Sequence, residues 1–298
     1  MRRASLPFPP RCSPAFTLVE ILTAVAITTI IVVALVSMLN TSTKALQAAN
    51  RQIDTWETAR STFGILERDI GEVAIGGAAG RVNVYAANAG VNVVGGQDFR
   101  LQDVYVLSSE QNLWTVNVFL LGRDQKSELP NLPVRTLYRF QTNYSTATTF
   151  GAATLDIDQP FGTVNHTYSI ALNALDRYLD DVAAGRPTDG TINVMAKGIV
   201  HLRLISYAAD GRAFSNSASL NPVPVDHVIS PNLLEFRGDL LPAALDLEMF
   251  VLDPDRMAEF RAQPAIGLIQ MGYLNKHLNS IQLFRTRIPI RKDVLARQ

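Results

Sequence analysis

The sequence predicts an α+β protein, with one long N-terminal helix followed by an antiparallel, β-rich domain. Three observations predict it. From Ile21 to Thr43 no side chain is charged. Beyond Lys44, apolar residues recur at steps of three and four. From residue 81 onward the pattern changes to short runs rich in valine, leucine and tyrosine, several with strand-like alternation.

The totals bound what the chain can do. It has 298 residues, 27 basic and 27 acidic, which allows one or two domains with a proper core. That balance argues against a nucleic-acid partner, which demands a surplus of cations. The single cysteine, Cys12, precedes the apolar run. It permits no intramolecular disulfide and no CxxC zinc site. Lipid attachment does not suit it either, because Arg11 stands before it and the apolar run comes after it.

Residues 1–15 form a basic leader. They hold Arg2, Arg3 and Arg11 and no acid, and Pro9, Pro10 and Pro14 break any regular helix. A basic segment ahead of an apolar one places the N-terminus in the cytoplasm. The apolar run from Phe16 to Leu39 would measure ~36 Å as a helix at ~1.5 Å per residue, enough to cross a ~30 Å hydrocarbon core. A secretory signal has a shorter apolar core and a small-residue cleavage site after it; this run has neither. A plain signal anchor fits the length but leaves Glu20 unexplained, and a carboxylate inside a spanning segment calls for a partner.

Ala15-Phe16-Thr17-Leu18-Val19-Glu20 resembles the processing motif of type IV prepilins and pseudopilins. The resemblance implies that a membrane aspartyl prepilin peptidase cuts between Ala15 and Phe16 and methylates the new amine of Phe16. Glu20 then becomes the fifth mature residue. The family places this glutamate against the N-terminal amine of a neighbouring subunit. Glycine is commoner at the position of Ala15; alanine is also small. Loss of the leader would remove three arginines and Cys12 and leave a mildly acidic, cysteine-free chain.

Residues 44–70 continue the helix. Leu46, Ala49, Ile53, Trp56, Ala59 or Arg60, Phe63, Leu66 and Ile70 trace one face, while Arg51, Asp54, Glu57, Arg60, Glu67 and Arg68 occupy the other. Gly71 and the Gly76–Gly80 cluster end it, the cluster acting as a flexible exit. The stripe is expected to pack on the globular domain, with Trp56 and Phe63 as core residues. The resulting organisation is a leader at 1–15, a long helix at 16–71 with its spanning segment at 16–39, and a β-rich domain at 72–298.

In that domain, Val82, Val84 and Val91–Val94 read as short β pieces. Residues 103–109 and 113–122 read as a strand pair, and 134–142 as a further strand. Residues 169–185 read as a helix whose face is Ile170, Ala174, Leu175, Tyr178 and Val182. Residues 198–214 read as a hairpin turning at Ala209-Asp210-Gly211. A strand over 241–252 leads into a helix capped by Asp253-Pro254, and 280–292 reads as the last strand. Arg68-Asp69-Ile70 and Leu241-Pro242-Ala243-Ala244-Leu245 resemble motifs of the J-type minor pseudopilins of type II secretion and the related W-type minor pilins.

No catalytic constellation emerges: there is no GxSxG, no HExxH and no Cys–His pair after residue 15. His166, His201, His227 and His277 lack ligand spacing and are expected as surface or strand histidines. Asp176, Asp180, Asp181 and Asp189 match no EF-hand and are expected on a solvated face. The chain is therefore expected to be no enzyme and to need no cofactor or metal. The resemblance implies a single-pass bacterial inner-membrane subunit with its domain in the periplasm. Its partners would be prepilin peptidase, other pilins or pseudopilins, and inner-membrane lipid. The machine is left open among type II secretion, type IV pili and DNA uptake. The alternative is a membrane-anchored exported binding module that never polymerises.

Overall fold

The apolar run and the amphipathic stretch form one uninterrupted helix, α1 (Leu18–Gly71). The structure, a computed structural model, describes residues 17–73, 82–94, 96–110, 113–126, 128, 132–145, 149–150, 153–154, 162–214, 227–230, 233–237, 241–264 and 266–290. Contacts divide the chain into two units, Met1–Ile53 and Asp54–Gln298.

In the first unit, Leu18 to Leu39 leave every large apolar side chain at least half exposed. This helix is long and apolar enough to cross a membrane, with mean hydropathy 2.6 over its most apolar window. Thr23, Thr28, Thr29, Thr41 and Thr43 each donate their hydroxyl to the carbonyl four residues back. Each of these hydroxyls therefore has an acceptor within its own helix, as a membrane-spanning segment would require.

The second unit is built on a nine-stranded sheet. In chain order come β1 (Val82–Val94), β2 (Gln97–Glu110), β3 (Leu113–Gly122), β4 (Arg135–Ser145), the two-residue strands β5 (Thr149–Phe150) and β6 (Ala153–Thr154), and α2 (Gly162–Ala183). Then follow β7 (Ile192–Tyr207), β8 (His227–Ser230), β9 (Leu233–Arg237), β10 (Ala244–Leu252), α3 (Pro254–Ala262), α4 (Gly267–Lys276) and β11 (Ile281–Pro289). The sheet order is β11-β10-β7-β4-β3-β2-β1-β9-β8, and β5 pairs only with β6. Neighbouring strands are antiparallel, save for one parallel bridge, Leu101 to Leu202, that joins β2 back to β7. So β2, β3, β4 and β7 form a closed ring of hydrogen-bonded neighbours.

Both sheet faces are covered, which the alternation within strands reveals. Val104 and Val106 of β2, Phe119 and Leu121 of β3, and Leu137 of β4 join the cluster that holds Ala59, Phe63, Leu66 and Ile70 of α1. Their neighbours Tyr105, Leu107, Val118, Leu120, Tyr138 and Phe140 point the other way, onto Ala171, Leu175 and Leu179 of α2. A third cluster packs Met257 and Phe260 of α3 and Leu274 of α4 on Phe99, Val200 and Leu252.

The predicted stripe on α1 is buried only from Ala59 onward. Leu46 and Ile53 stay exposed, and Trp56 is half exposed, edge-on to Phe284 with ring centroids 4.8 Å apart. Periodicity fixes which face is apolar, not how far along the helix a partner extends, so Trp56 is not the core residue expected. The helix does end at Gly71; the Gly76–Gly80 cluster lies outside the described residues.

Asp69 of α1 is buried and meets Arg139 of β4 at 2.7 Å, with Arg68 on its outer side at 3.0 Å. Arg139 also donates to Asn117 of β3 at 2.9 Å. The Arg-Asp-Ile run thus docks the helix end: Asp69 sets its rotation on the sheet and Ile70, fully buried, fills the core.

Three other expectations are corrected. The pieces at Val82–Val84 and Val91–Val94 are one strand, β1, interrupted by a bulge between Asn88 and Gly90 that the alternation alone could not bridge. Helix α2 begins at Gly162; of its expected face Leu175 is buried and Ile170, Ala174 and Tyr178 pack half-buried, but the face is centred on Thr167, Ala171, Leu175 and Leu179, and Val182 is exposed. The small Thr167 and Ala171 let this face approach the sheet, and Gly122 makes room: a Cβ there would stand 2.8 Å from Leu175. The hairpin at 198–214 has its turn, with Gly211 at φ +80°, but its return arm is a single bridge, Tyr207 to Ala213. Both long edges of β7 are taken by distant strands, β4 and β10.

Strand β7 changes partner at Gly198, whose φ is +79° and whose Cβ position lies 3.0 Å from the Leu252 carbonyl oxygen. Only glycine takes that conformation at that approach without strain.

Where ladder bonds lapse in the ring, side chains replace them. The Asp103 carboxylate accepts from Leu121 N at 2.7 Å, Gln102 Oε1 from Leu204 N at 2.8 Å, and His201 Nδ1 from Arg100 N at 2.9 Å.

Replacing Asp69 by alanine leaves Arg139 without its carboxylate. Urea unfolding of the detergent-solubilised chain should register a loss of about 3 kcal/mol, the range for breaking a buried pair. Arg68→Ala, which removes an exposed partner, should cost under about 1 kcal/mol.

Candidate functional site

At the N-terminal end of α1 the structure gives Glu20 a definite local role. Thr17 precedes the first helical residue, and Glu20 is the third. Thr17 N and Thr17 Oγ1 both donate to Glu20 Oε2 at 2.9 Å, and Glu20 N donates back to Thr17 Oγ1 at 3.3 Å. This is a reciprocal capping box, which satisfies amides that the first helical turn leaves open. Both bonds to the carboxylate fall on one oxygen; Oε1 takes none among the described residues. Ala15 and Phe16 lie outside the described residues.

In the second unit, α1, β7, β10 and α3 enclose a cleft of about 470 Å³. Its wall is apolar at Ala59, Val194, Val251 and Met257, with Asp54, Lys197 and Arg261 among its polar lining. Both cations are already committed. Asp124 holds Lys197 at 2.9 Å and also holds Arg261, which reaches Glu128 at 3.3 Å. Burial raises the Asp124 pKa, but these two cations outweigh it and keep the carboxyl below its ordinary value. The sequence carried no local signal for this cleft, because its lining comes from three separate stretches of chain, 54–59, 194–198 and 251–261.

The aspartates at 176–189 are spent on ion pairs: Asp176 with Arg123, Asp180 with Lys126, Asp181 with Arg186 and Asp189 with Arg177. Among the described residues no three His, Cys, Asp or Glu side chains gather as a metal would require.

His201 departs from a surface histidine. It is buried, stacked on Phe250 with centroids 4.7 Å apart and edge-on to Phe99. Burial, then the charges of Arg203 and Arg100, push its pKa down to about 4. The neutral ring is what β2 needs, since Nδ1 must accept from Arg100 N. Asp103 is its counterpart: burial lifts its pKa to about 6 against the bonds from Tyr168 and Leu121 and the charge of Arg135. The sequence expected a surface or strand histidine at His201, and it does lie in a strand, but alternation alone could not reveal a histidine serving as a backbone acceptor.

The two groups act oppositely on stability. Folding excludes a proton from His201, so its contribution is complete above about pH 6.5 and is lost as pH falls to about 4. Folding favours a proton on Asp103, so its penalty is complete above about pH 6 and is relieved as pH falls towards 3.8. Between pH 4 and 6 the two slopes cancel. His201→Gln keeps an acceptor but removes the titration. Its stability deficit relative to the parent should shrink by about 1.4 kcal/mol per pH unit as pH drops from 6.5 to 4, read from urea melts.

No family model matches this chain, and neither a curated protein nor a solved structure matches it.

Proposed function

We propose that the chain is a minor pseudopilin-like structural subunit. In this reading prepilin peptidase processes it between Ala15 and Phe16, and it then joins other pilins or pseudopilins in a periplasmic filament that serves secretion, as a tip or initiation component. The observation that carries the reading is the run Ala15-Phe16-Thr17-Leu18-Val19-Glu20 at the mouth of an uncharged helix. The subunit would sit in the bacterial inner membrane with its N-terminus cytoplasmic and its β-rich domain periplasmic.

The capping geometry suits this role. Glu20 uses one oxygen for its own helix end. The second oxygen is available to the methylated amine of a neighbour's Phe16. In hydrocarbon neither group has water as an alternative, so the pair would be strong and would set axial register between subunits. No step in this role is chemical; the chain supplies an anchor, a charge and a docking domain.

A second reading is an exported, membrane-anchored binding module with a prepilin-like leader. The cleft between α1, β7, β10 and α3 favours it.

Two substitutions separate charge from capping. Glu20→Gln keeps an oxygen that can accept from Thr17 N but removes the charge; Glu20→Ala removes both. If assembly needs the ion pair, both variants should lose co-purification with partner pilins by at least about tenfold, a deficit of ~1.4 kcal/mol. If Glu20 only caps the helix, the glutamine variant should behave as the parent. Unchanged co-purification and secretion in both variants would favour the binding module.

A further inference from the structure

The edge of the sheet at β11 carries two features that neither the helix nor the cleft accounts for: a backbone ladder left open among the described residues, and a surplus of fixed arginines. Asp253 N donates to Ser280 O and Ile290 N to Ala243 O, each at 3.0 Å, at the two ends of an unshifted β10–β11 register. That parity turns the amides and carbonyls of Gln282, Phe284, Thr286 and Ile288 towards β10. The backbone groups of Leu283, Arg285 and Arg287 face outward, and β11 ends the sheet order.

Across the same strands run two rows of side chains on the face away from α1. One is Arg203–Glu248–Arg285 and the other Ile205–Asp246–Arg287. Asp246 is gripped by Arg285 at 2.7 Å and Arg287 at 2.6 Å, and Arg287 lies 4.2 Å over the Tyr207 ring. Glu248 is 3.5 Å from Arg285. Three guanidinium groups thus face two carboxylates. Arg285 and Arg287 remain 49% and 55% exposed while their orientation is fixed. On the opposite face of the edge, Phe284 supports the half-exposed Trp56.

We infer that the open edge of β11 docks an extended segment of another protein in which acidic and apolar side chains alternate. A strand added there would lie about 4.8 Å away and pair with Leu283, Arg285 and Arg287. Its residues opposite Arg285 and Arg287 would share their face, so carboxylates two apart would meet the two guanidinium groups. The residue between would turn to the other face, beside Phe284 and Trp56. Charged edge strands commonly serve to discourage pairing. Here the guard is selective, because arginines repel cationic strands and attract acidic ones. Exposed Leu283 and Trp56 also leave apolar contact on offer. The inference stands on β11 alone and does not rest on the pilin-like reading.

The test uses the full chain in non-ionic micelles and a fluorescent hexapeptide of alternating valine and glutamate, followed by anisotropy at low salt. Saturable binding is expected, at least about tenfold weaker for the valine–lysine and valine–glutamine peptides. Leu283→Pro removes an outward amide while leaving every β10 bond in place, and it should weaken binding as much without changing the thermal transition. Should that variant fail to fold, the valine–glutamate peptide N-methylated at its β11-facing amides must show the same loss with the parent chain. Equal binding of the lysine peptide, indifference to either amide block, or no saturable binding below about 1 mM would overturn the inference.

Discussion

Among the described elements one face of the nine-stranded sheet has a single helical cover, the last turns of α1. Leu66 and Ile70 are fully buried there, against Phe119, Leu137, Leu202 and Leu247. Asp69 and Arg139 fix the rotation of the helix on that face. A buried ion pair adds little net stability, since desolvation offsets most of the attraction. Its effect is selective: a rotated helix would bury Asp69 against aliphatic side chains. The C-terminal end of α1 therefore closes the core of the domain.

The sheet achieves its shape by breaking its own ladder and mending it with side chains. Gly198 lets β7 pass from β4 to β10, and β2 swings from β3 towards β7. The gaps are filled by Gln102, Asp103 and His201, each accepting a backbone amide. Burial disfavours the charged form of a titrating group, which lowers the pKa of the base His201 and raises that of the acid Asp103. The outermost strand, β11, keeps a regular register and with it a usable edge.

Much of this was legible in the residues, and the failures follow one pattern. The long helix, its end at Gly71, the β2–β3 pair, the Asp253-Pro254 cap and the last strand were readable because each depends on local spacing or local turn chemistry. The depth at which the α1 stripe becomes buried, the centre of the α2 face and the partners of β7 were not. Each is decided by what lies across from it, at Phe284, Gly122 or β10. Glu20 illustrates the same limit at the N-terminal end. Its spacing from Thr17 encodes a capping box, which is local; whether its charge meets a partner is not written in the spacing. The cleft beside α3 and the charged rows across β7, β10 and β11 are likewise products of tertiary assembly, invisible at any single segment.

The proposed function makes this helix a processed assembly element instead of a simple anchor. The mass of the mature N-terminus, purified from a host with an active prepilin peptidase, tests it most directly. The account predicts a chain that begins at Phe16, with the amine carrying one methyl group. A chain that still begins at Met1, or one cut after the apolar run beyond Leu39, would contradict it.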